Sequence, residues 1–318
     1  MRIVLVLTTK CGLRCPYCVV AKDGRTMTEE VMEAAVEAAL HPDVPLPEIQ
    51  FFGGEPLDEK WLLFKSIEHA ELMAMKKGRS VKFHISTNAL GIDEEFIRWI
   101  SKKKISFEVS IDGSAGPVEI ASDAGGKPWN FNRAAEGARL LLREDIECFA
   151  NVVVTPQSVP FLKSNFEEIV GLGFSKVHIS PATGIRWPKP DVEILASQLW
   201  EIFNQHVRGN RNLRLLNLEA SSAELLLFNR EVTVDCDGAV YSGNSFLYAG
   251  DSVARQMRLG HVFEKLSISN YHKKRLPLNF FLSNIFDPAT TFEYLVLTKM
   301  INGFITHVKK MKLPPSAG

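Results

Sequence analysis

The chain has 318 residues, 46% of them hydrophobic, enough for one large domain or one domain with a smaller appendage. Basic and acidic residues number 37 each, so the zero formal charge favours neither a nucleic acid nor an anionic membrane as a partner. The apolar run Ile3–Leu7 is too short for a signal peptide, and no stretch approaches the length of a membrane span. Five cysteines, three of them clustered, do not form a disulfide framework, so we expect a cytoplasmic protein with free thiols.

Apolar strand patterns alternate with helical patterns through the first 180 residues. The predicted strands are Ile3–Thr8, Glu48–Phe52, Val81–Ser86, Ile105–Ile111, Glu147–Val154 and Lys176–Ser180. The predicted helices are Thr26–Leu40 with a Thr26/Glu29 capping box, Glu59–Lys77, Glu94–Lys103, Asn130–Arg143 and Pro160–Leu172. A repeat of roughly 30 residues is typical of βαβ units and predicts an α/β protein with a parallel sheet. Spacing alone leaves a partial barrel and a doubly wound sheet both open.

The pattern changes after Pro181. We predict a linker at Arg186–Pro190, a helix capped by Asp191 over Asp191–Val207 and a second helix over Leu218–Phe228. These are followed by a hairpin with Asp-Gly in its turn over Val232–Tyr241 and a helical tail over Leu276–Leu313. The predicted organisation is therefore an α/β region over residues 1–183, linker helices over 184–227, and a smaller α+β region over 228–318.

Three cysteines lie between the first strand and the first helix, at Cys11, Cys15 and Cys18, with spacing C-x3-C-x2-C. Thiolates are soft ligands that select iron–sulfur clusters, zinc or Cu(I). A structural zinc ion takes four protein ligands, and the remaining cysteines, Cys148 and Cys236, are distant in the sequence. Three thiolates on one loop therefore suit a [4Fe–4S] cluster better, with one iron open to a ligand that is not protein.

Further candidate site residues follow the predicted strands directly. Gly53–Pro56 follows the second strand, Ser86 and Asn88 end the third, and Ser110 and Asp112 end the fourth. Because parallel α/β sheets bind ligands at the carboxyl ends of their strands, we expect these residues around one site. Glycines allow backbone to approach a ligand closely, and a carboxylate pairs with a cation. The alternative for Asn88 and Asp112 is that each caps its turn.

The cysteine spacing, with Tyr17 just before the third cysteine, resembles the cluster loop of the radical S-adenosylmethionine (SAM) superfamily. The resemblance implies one [4Fe–4S] cluster, with the amino and carboxylate groups of SAM on its fourth iron. In that family an electron from the cluster cleaves SAM to methionine and a 5′-deoxyadenosyl radical, which abstracts hydrogen from a substrate. The resemblance also implies an electron donor such as flavodoxin or ferredoxin, and an open, partial (β/α)6 barrel.

The strand-end segments resemble SAM-binding segments of this family. Gly53-Gly54-Glu55-Pro56 resembles its GGEP motif, whose backbone and acid receive the SAM ammonium. The segments around Ser86–Asn88 and Ser110–Asp112 resemble ribose- and carboxylate-contacting segments, particularly of its peptide-modifying branch. Further implied contacts are Tyr17 beside adenine, unless it only packs in the core, and Asn151 and Ile179 in the SAM wall. An arginine of that branch has no counterpart between Asp112 and Asn130, so either Lys127 replaces it as a point charge or SAM is held without it.

The predicted hairpin and the run Arg258–Phe263 resemble the SPASM extension, whose cysteines bind auxiliary clusters. Ser242-Gly243 stands where Pro-Cys is expected and no cysteine follows, so the resemblance implies a degenerate extension without those clusters. Cys236 is then either a hydrogen-atom donor, as in radical epimerases, or a small buried hydrophobe. No two histidines have metal-ligand spacing, so His84 and His178 are predicted to pack or cap.

The resemblance implies a radical SAM maturase acting on a ribosomal peptide or a related small molecule. Two alternatives stay open: a maturase acting on a protein partner, and a non-catalytic zinc or redox-sensor protein on an α/β scaffold. Because no auxiliary cluster is predicted to accept an electron, we expect a redox-neutral outcome such as epimerisation rather than net oxidation.

Overall fold

The computed structural model describes residues 2–44, 46–116, 131–210, 212–219, 231–248, 251–264, 284 and 287–311. Lys127, most of the predicted helix Leu218–Phe228 and the start of the predicted tail lie outside these residues.

The described strands form one sheet in the order β10-β9-β8-β1-β2-β3-β4-β5-β6-β7. They are β1 (Arg2–Thr8), β2 (Glu48–Gly53), β3 (Lys82–Thr87), β4 (Ile105–Ser110), β5 (Cys148–Val154), β6 (Lys176–Pro181), β7 (Arg214–Leu215), β8 (Val232–Val234), β9 (Ala239–Ser242) and β10 (Arg258–His261). Strands β1 to β7 pair in parallel and in chain order. A doubly wound sheet reverses its strand order part-way, so this order selects the partial barrel and confirms the α/β prediction.

The described α-helices are α1 (Glu29–Ala39), α2 (Lys60–Lys76), α3 (Glu94–Ile100), α4 (Phe131–Arg143), α5 (Leu162–Gly171), α6 (Lys189–Ile202), α7 (Asp251–Met257) and α8 (Pro288–Lys310). Helices α1 to α6 connect the parallel strands, whereas α7 lies between β9 and β10 and α8 follows β10. The main hydrophobic core lies between the sheet and the helices α1 to α6 and α8, and it includes Phe51 on β2, Phe96 on α3 and Phe107 on β4. In the described part of the chain, no helix combines the length and apolarity needed to cross a membrane.

Burial explains why the strand patterns could be read from the sequence. Residues Ile3–Leu7 are each at most 1% exposed, as expected for a central strand of a parallel sheet. Strands β4 and β6 instead alternate between buried and half-buried residues. Their buried positions belong to the core, and their half-buried positions face the interior of the barrel.

Two predicted helix starts are wrong. The cap of α1 is Thr28, whose side chain accepts a hydrogen bond from Val31 N, whereas Thr26 forms a β-bridge with Thr8 at the end of β1. Helix α6 begins at Lys189, so Asp191 lies in its first turn and is not the cap. Pro190, the second residue of this helix, is well tolerated there, because the N–H groups of the first turn have no partner within a helix.

The predicted linker before α6 is packed against the protein. Trp187 is 1% exposed, and its ring N–H donates to the Ala182 carbonyl at 3.0 Å. Arg186 pairs with Glu293 on α8 at 2.6 Å.

The predicted C-terminal hairpin is present and extends the barrel sheet. Strands β8 and β9 are antiparallel around Gly238, whose φ of 85° suits the Asp-Gly turn. Strand β8 pairs in parallel with β1, with Ile3 opposite Val232. The division of the chain into three regions stays a prediction.

Candidate active site

A cavity of about 380 Å³ lies at the carboxyl ends of the barrel strands, within the range of roughly 300–1,000 Å³ usual for ligand pockets. It brings together residues that the sequence distributes over the first 180 positions. The predicted site residues that line it are Cys11, Cys15, Tyr17, Cys18, Gly53, Gly54, Glu55, Ser86, Asn88, Ser110 and Asn151. These strand-end residues and the cysteine loop therefore line one cavity.

The three cysteines differ in exposure. Cys11 and Cys15 are half-buried and Cys18 is exposed, with Lys22 Nζ 3.0 Å from the Cys18 sulfur. Burial raises the pKa of Cys15 to about 12, with the nearby Asp112 charge acting in the same direction. Burial also raises the pKa of Cys11. A metal centre held here must displace the thiol protons, as thiolate ligation requires.

Gly53 and Gly54 allow β2 to reach the cysteine loop. Gly54 N donates to Thr8 O at 2.7 Å, and Glu55 N donates to Lys10 O at 2.8 Å. A Cβ atom on Gly54 would lie 1.9 Å from Lys10 O, and one on Gly53, where φ is 140°, would lie 2.1 Å from Thr8 O. The close approach that these glycines permit is thus to the backbone of the protein itself.

The Glu55 carboxylate is bound largely by protein donors. One oxygen accepts from Leu57 N at 3.0 Å and Thr87 Oγ1 at 2.7 Å, and the other accepts from Asn88 N at 2.7 Å. A carboxylate has about four acceptor positions, so one remains for a ligand ammonium. Burial raises the pKa of Glu55 to about 7, although these three hydrogen bonds oppose the shift.

Asp112 holds the cysteine loop in place. One oxygen accepts a hydrogen bond from the Tyr17 hydroxyl, and the other accepts from Val153 N on β5 at 2.8 Å. Burial raises the pKa of Asp112 to about 6, against the effect of these bonds. Asp112 is not among the residues that line the cavity, whereas Tyr17 is. Asn88 both lines the cavity and caps its own turn, because its Oδ1 accepts from Leu90 N at 3.0 Å.

Several predicted residues are not brought to the cavity. Pro56 is buried in the short 3-10 turn before α2, and Ile179 lies in the core at 1% exposure. Successive residues of a strand point to opposite faces, so it is His178 and Ser180 that line the cavity. Lys127 lies outside the described residues.

Cys236 is also away from the lining. It is 4% exposed, and its sulfur donates to the Val6 carbonyl on β1 at 3.1 Å. Burial raises the pKa of this thiol to about 12. The hydrogen-donor role therefore stays a prediction, and this position lends it no support.

The sequence reasoning missed the interior of the barrel, where Glu108, His178 and Ser180 line the cavity beside Asn151. Asn151 Nδ2 donates to Glu108 at 2.9 Å, and Asn151 Oδ1 lies 3.1 Å from His178 Nδ1 and 2.8 Å from Ser180 Oγ. The sequence does contain a signal for Glu108. This charged residue lies in the middle of an apolar strand, between the buried residues Phe107 and Val109, and a polar residue at such an alternating position faces the inside of a barrel.

Comparison with known proteins identifies the family. The family profile described as the Radical SAM superfamily matches residues 5–183, which is more than half of the chain and includes the cysteine loop and β1 to β6. The chain belongs to the radical SAM superfamily of enzymes.

Sequence relatives of this radical SAM chain share part of its length. It is 26% identical over 176 residues to an uncharacterized protein of Methanocaldococcus jannaschii, covering 55% of the chain and 60% of that relative. It is 26% identical over 192 residues to a PqqA peptide cyclase of Granulibacter bethesdensis, covering 59% of the chain and 48% of that relative. The chain thus spans about half to three-fifths of the length of these curated relatives.

The fold is shared over nearly the whole chain with a solved structure titled native anSMEcpe with bound AdoMet and Cp18Cys peptide. The TM-score is 0.75 at 17% identity, covering 96% of this chain and 98% of the other. This likeness shows the fold.

Radical SAM proteins carry an iron–sulfur cluster and SAM, and the donor set here fits both. Three cysteine sulfurs from one loop line a cavity whose remaining walls offer hydroxyl, amide and carboxylate groups. Among the described residues, no three His, Cys, Asp or Glu side chains are grouped to hold a single metal ion.

Proposed function

We propose that this chain is a radical SAM enzyme that uses one [4Fe–4S] cluster to cleave SAM reductively and abstract hydrogen from a peptide or a related small molecule. One observation carries the proposal: Cys11, Cys15 and Cys18 line the same cavity as the strand-end residues Gly53–Glu55, Asn88 and Ser110. The family match supports it independently.

Cys11, Cys15 and Cys18 would hold three irons and leave the fourth to SAM. When bound, the cluster and SAM together supply a 5′-deoxyadenosyl radical. The protein contributes the free acceptor position of Glu55 to the ammonium of SAM and the polar groups of Asn88 and Ser110 to its ribose. Tyr17 lines the same cavity, and we assign its ring to the adenine of SAM.

Lys22 is a candidate to replace the arginine that the sequence lacks. Among the described residues, no other lysine and no arginine lines the cavity, and Lys22 lies at the end formed by the cysteine loop. An ammonium there can attract the SAM carboxylate as a point charge. We therefore assign to Lys22 the part that the sequence suggested for Lys127.

A peptide substrate is supported by two neighbours. One sequence relative is named a PqqA peptide cyclase, and the structural neighbour holds a peptide together with AdoMet. Flavodoxin or ferredoxin as electron donor, and a cytoplasmic location, remain part of the proposal.

Anaerobic iron–sulfur reconstitution tests the proposal. We expect about four irons per chain and, with a chemical reductant, formation of 5′-deoxyadenosine from SAM, measured by liquid chromatography and mass spectrometry. Changing Cys11, Cys15 or Cys18 to Ala should abolish both the cluster and SAM cleavage.

Cys148→Ala and Cys236→Ala are matched controls, since each removes a thiol outside the loop, and both should keep their iron. Loss of the cluster in Cys236→Ala would contradict the one-cluster proposal. A colourless protein with one tightly bound zinc ion would instead favour the zinc or sensor alternative.

A second experiment tests the substrate class. The loaded enzyme is incubated in deuterated water with short peptides encoded beside its gene, and the products are then analysed by mass spectrometry. A product of unchanged mass apart from one solvent deuteron indicates epimerisation, whereas a loss of two hydrogens indicates net oxidation. Modification only within a folded protein partner would favour the protein-maturase alternative over the peptide proposal.

A further inference from the structure

Glu108 lies deeper in the barrel than the strand-end residues. It precedes Ser110, the last residue of β4, by two positions. At roughly 3.3 Å per residue, its Cα atom lies about 7 Å below the edge of the sheet. Its side chain is 23% exposed, and it lines the cavity.

The Glu108 carboxylate keeps acceptor positions open toward the cavity. One oxygen accepts from Asn151 Nδ2 at 2.9 Å, and the other accepts from Ser86 Oγ at 3.3 Å. His84 Nε2 lies 3.7 Å from the second oxygen, too far for a hydrogen bond. About two of the four acceptor positions are therefore without a donor among the residues that the structure describes.

The surrounding side chains fix this carboxylate rather than neutralise it. Ser86 accepts from Gln50 Nε2 at 2.8 Å, and Asn151 is held by His178 and Ser180. Burial acts to raise the pKa of Glu108, but the nearby imidazoles of His84 and His178, with the hydrogen bond from Ser86, hold it below its ordinary value. Burial lowers the pKa of His178, which favours its neutral form.

A carboxylate that loses contact with water is costly unless a partner of opposite charge meets it, so a substrate that displaces water from Glu108 must itself supply that partner. Lys22 lies at the other end of the cavity, on the cysteine loop beside Cys18. Phe52 and Val153 provide apolar lining that suits an alkyl chain. The cavity thus offers an apolar wall together with a carboxylate at its floor.

We propose that Glu108 is a substrate-binding residue that accepts hydrogen bonds from an alkylammonium group, such as the side chain of a lysine or ornithine residue in the substrate. An ammonium presents three donors, of which two can meet the open positions of the carboxylate. The alkyl stem packs on the apolar lining while the charged head reaches the floor. This inference rests on the proposed function, because it requires the cavity to hold a substrate as well as SAM.

Two probes test the inference directly: Nα-acetyl-L-lysine methylamide and its uncharged analogue Nα-acetyl-L-norleucine methylamide. Each is titrated calorimetrically into cluster-loaded protein with SAM present and no reductant, so that SAM is not consumed. We expect the lysine probe to bind about tenfold more tightly, as a charge-assisted hydrogen bond predicts. Glu108→Gln should remove this preference, whereas Glu68→Gln, at an exposed position on α2, should keep it.

Equal affinity for the two probes, or no saturable binding of the lysine probe, would overturn the inference. A preference that survives in a folded Glu108→Gln variant would also overturn it. If that variant does not fold, as judged by circular dichroism, Glu108→Asp replaces it, and a shortened acid should weaken the lysine probe alone. SAM cleavage by the unmodified enzyme is measured in parallel: if 5′-deoxyadenosine forms but the lysine probe does not bind, only this inference fails.

Discussion

The rim and the floor of the cavity each contain a carboxylate, and the two are held differently. At the rim, Glu55 is almost fully buried, and three protein donors occupy its oxygens. On the floor, Glu108 meets two donors and faces the cavity with the rest of its acceptor positions. The rim residues Tyr17, Gly53, Gly54 and Glu55, together with Asp112 outside the cavity lining, join the cysteine loop to the strand ends. Substitutions at the rim should therefore act first on stability, and substitutions at the floor on ligand binding.

The largest effect is expected for Gly54→Ala. The new Cβ atom would lie 1.9 Å from Lys10 O, a backbone atom that moves only with the cysteine loop. We expect a loss of at least about 3 kcal/mol in the free energy of unfolding, beyond ordinary overpacking, measured by urea denaturation. Gly171→Ala is the matched control, because nothing lies within 4 Å of its added methyl group. Equal stability of the two variants would contradict this account of the rim.

The second prediction concerns pH and Glu55. Burial raises the pKa of this carboxyl from 4.5 to about 7 in the folded protein. The folded state therefore binds the proton more tightly than the unfolded state, so the free energy of unfolding falls as pH rises from about 4.5 to about 7. The loss is up to about 3 kcal/mol, at roughly 1.4 kcal/mol per pKa unit.

Glu55→Gln removes this titration. Urea denaturation at several pH values should show a shallower decline for the variant than for the unmodified protein across this window. Glu68→Gln, at an exposed site, should leave the decline unchanged. Parallel profiles for the unmodified protein and Glu55→Gln would show that Glu55 does not titrate in this range.

A smaller effect is expected for Tyr17→Phe. The change removes the hydroxyl that donates to Asp112 and leaves one oxygen of a buried carboxylate without that donor. We expect a loss of about 1–2 kcal/mol in the free energy of unfolding. A double-mutant cycle with Asp112→Asn should give a coupling of about 1 kcal/mol. No measurable coupling would mean that the two side chains do not cooperate in holding the loop.

The smallest effect on stability is expected at the floor, for Asn151→Ala. The change frees groups on Glu108, His178 and Ser180. These groups line the cavity, so water can replace the lost hydrogen bonds. We expect a loss of about 1 kcal/mol or less, measured by thermal and urea denaturation. A loss as large as that of Gly54→Ala would remove the distinction between rim and floor.

Much of the fold could be predicted because its signals are local. The apolar runs of β1 to β6 correspond to strands buried in one sheet, and the Asp-Gly pair corresponds to the hairpin turn. The cap of α1 was misplaced because Thr26 and Thr28 are both good capping residues, and only the bridge between Thr26 and Thr8 separates them. Ile179 was placed on the wrong face because a shift of one residue along a strand reverses the side-chain direction.

The sequence by itself determined the α/β class, the three-thiol loop and the set of strand-end residues, since each depends on the type and spacing of neighbouring residues. Only the tertiary structure decided which acceptor positions are filled. The Glu55 carboxylate meets Thr87, 32 residues away, and the Cys236 thiol meets Val6, 230 residues away. Such contacts depend on how the strands are ordered in space, and a residue's distance along the chain carries no record of them. For the same reason Glu108, which belongs to no motif, is a candidate ligand-binding residue only because the folded barrel places it on the cavity lining.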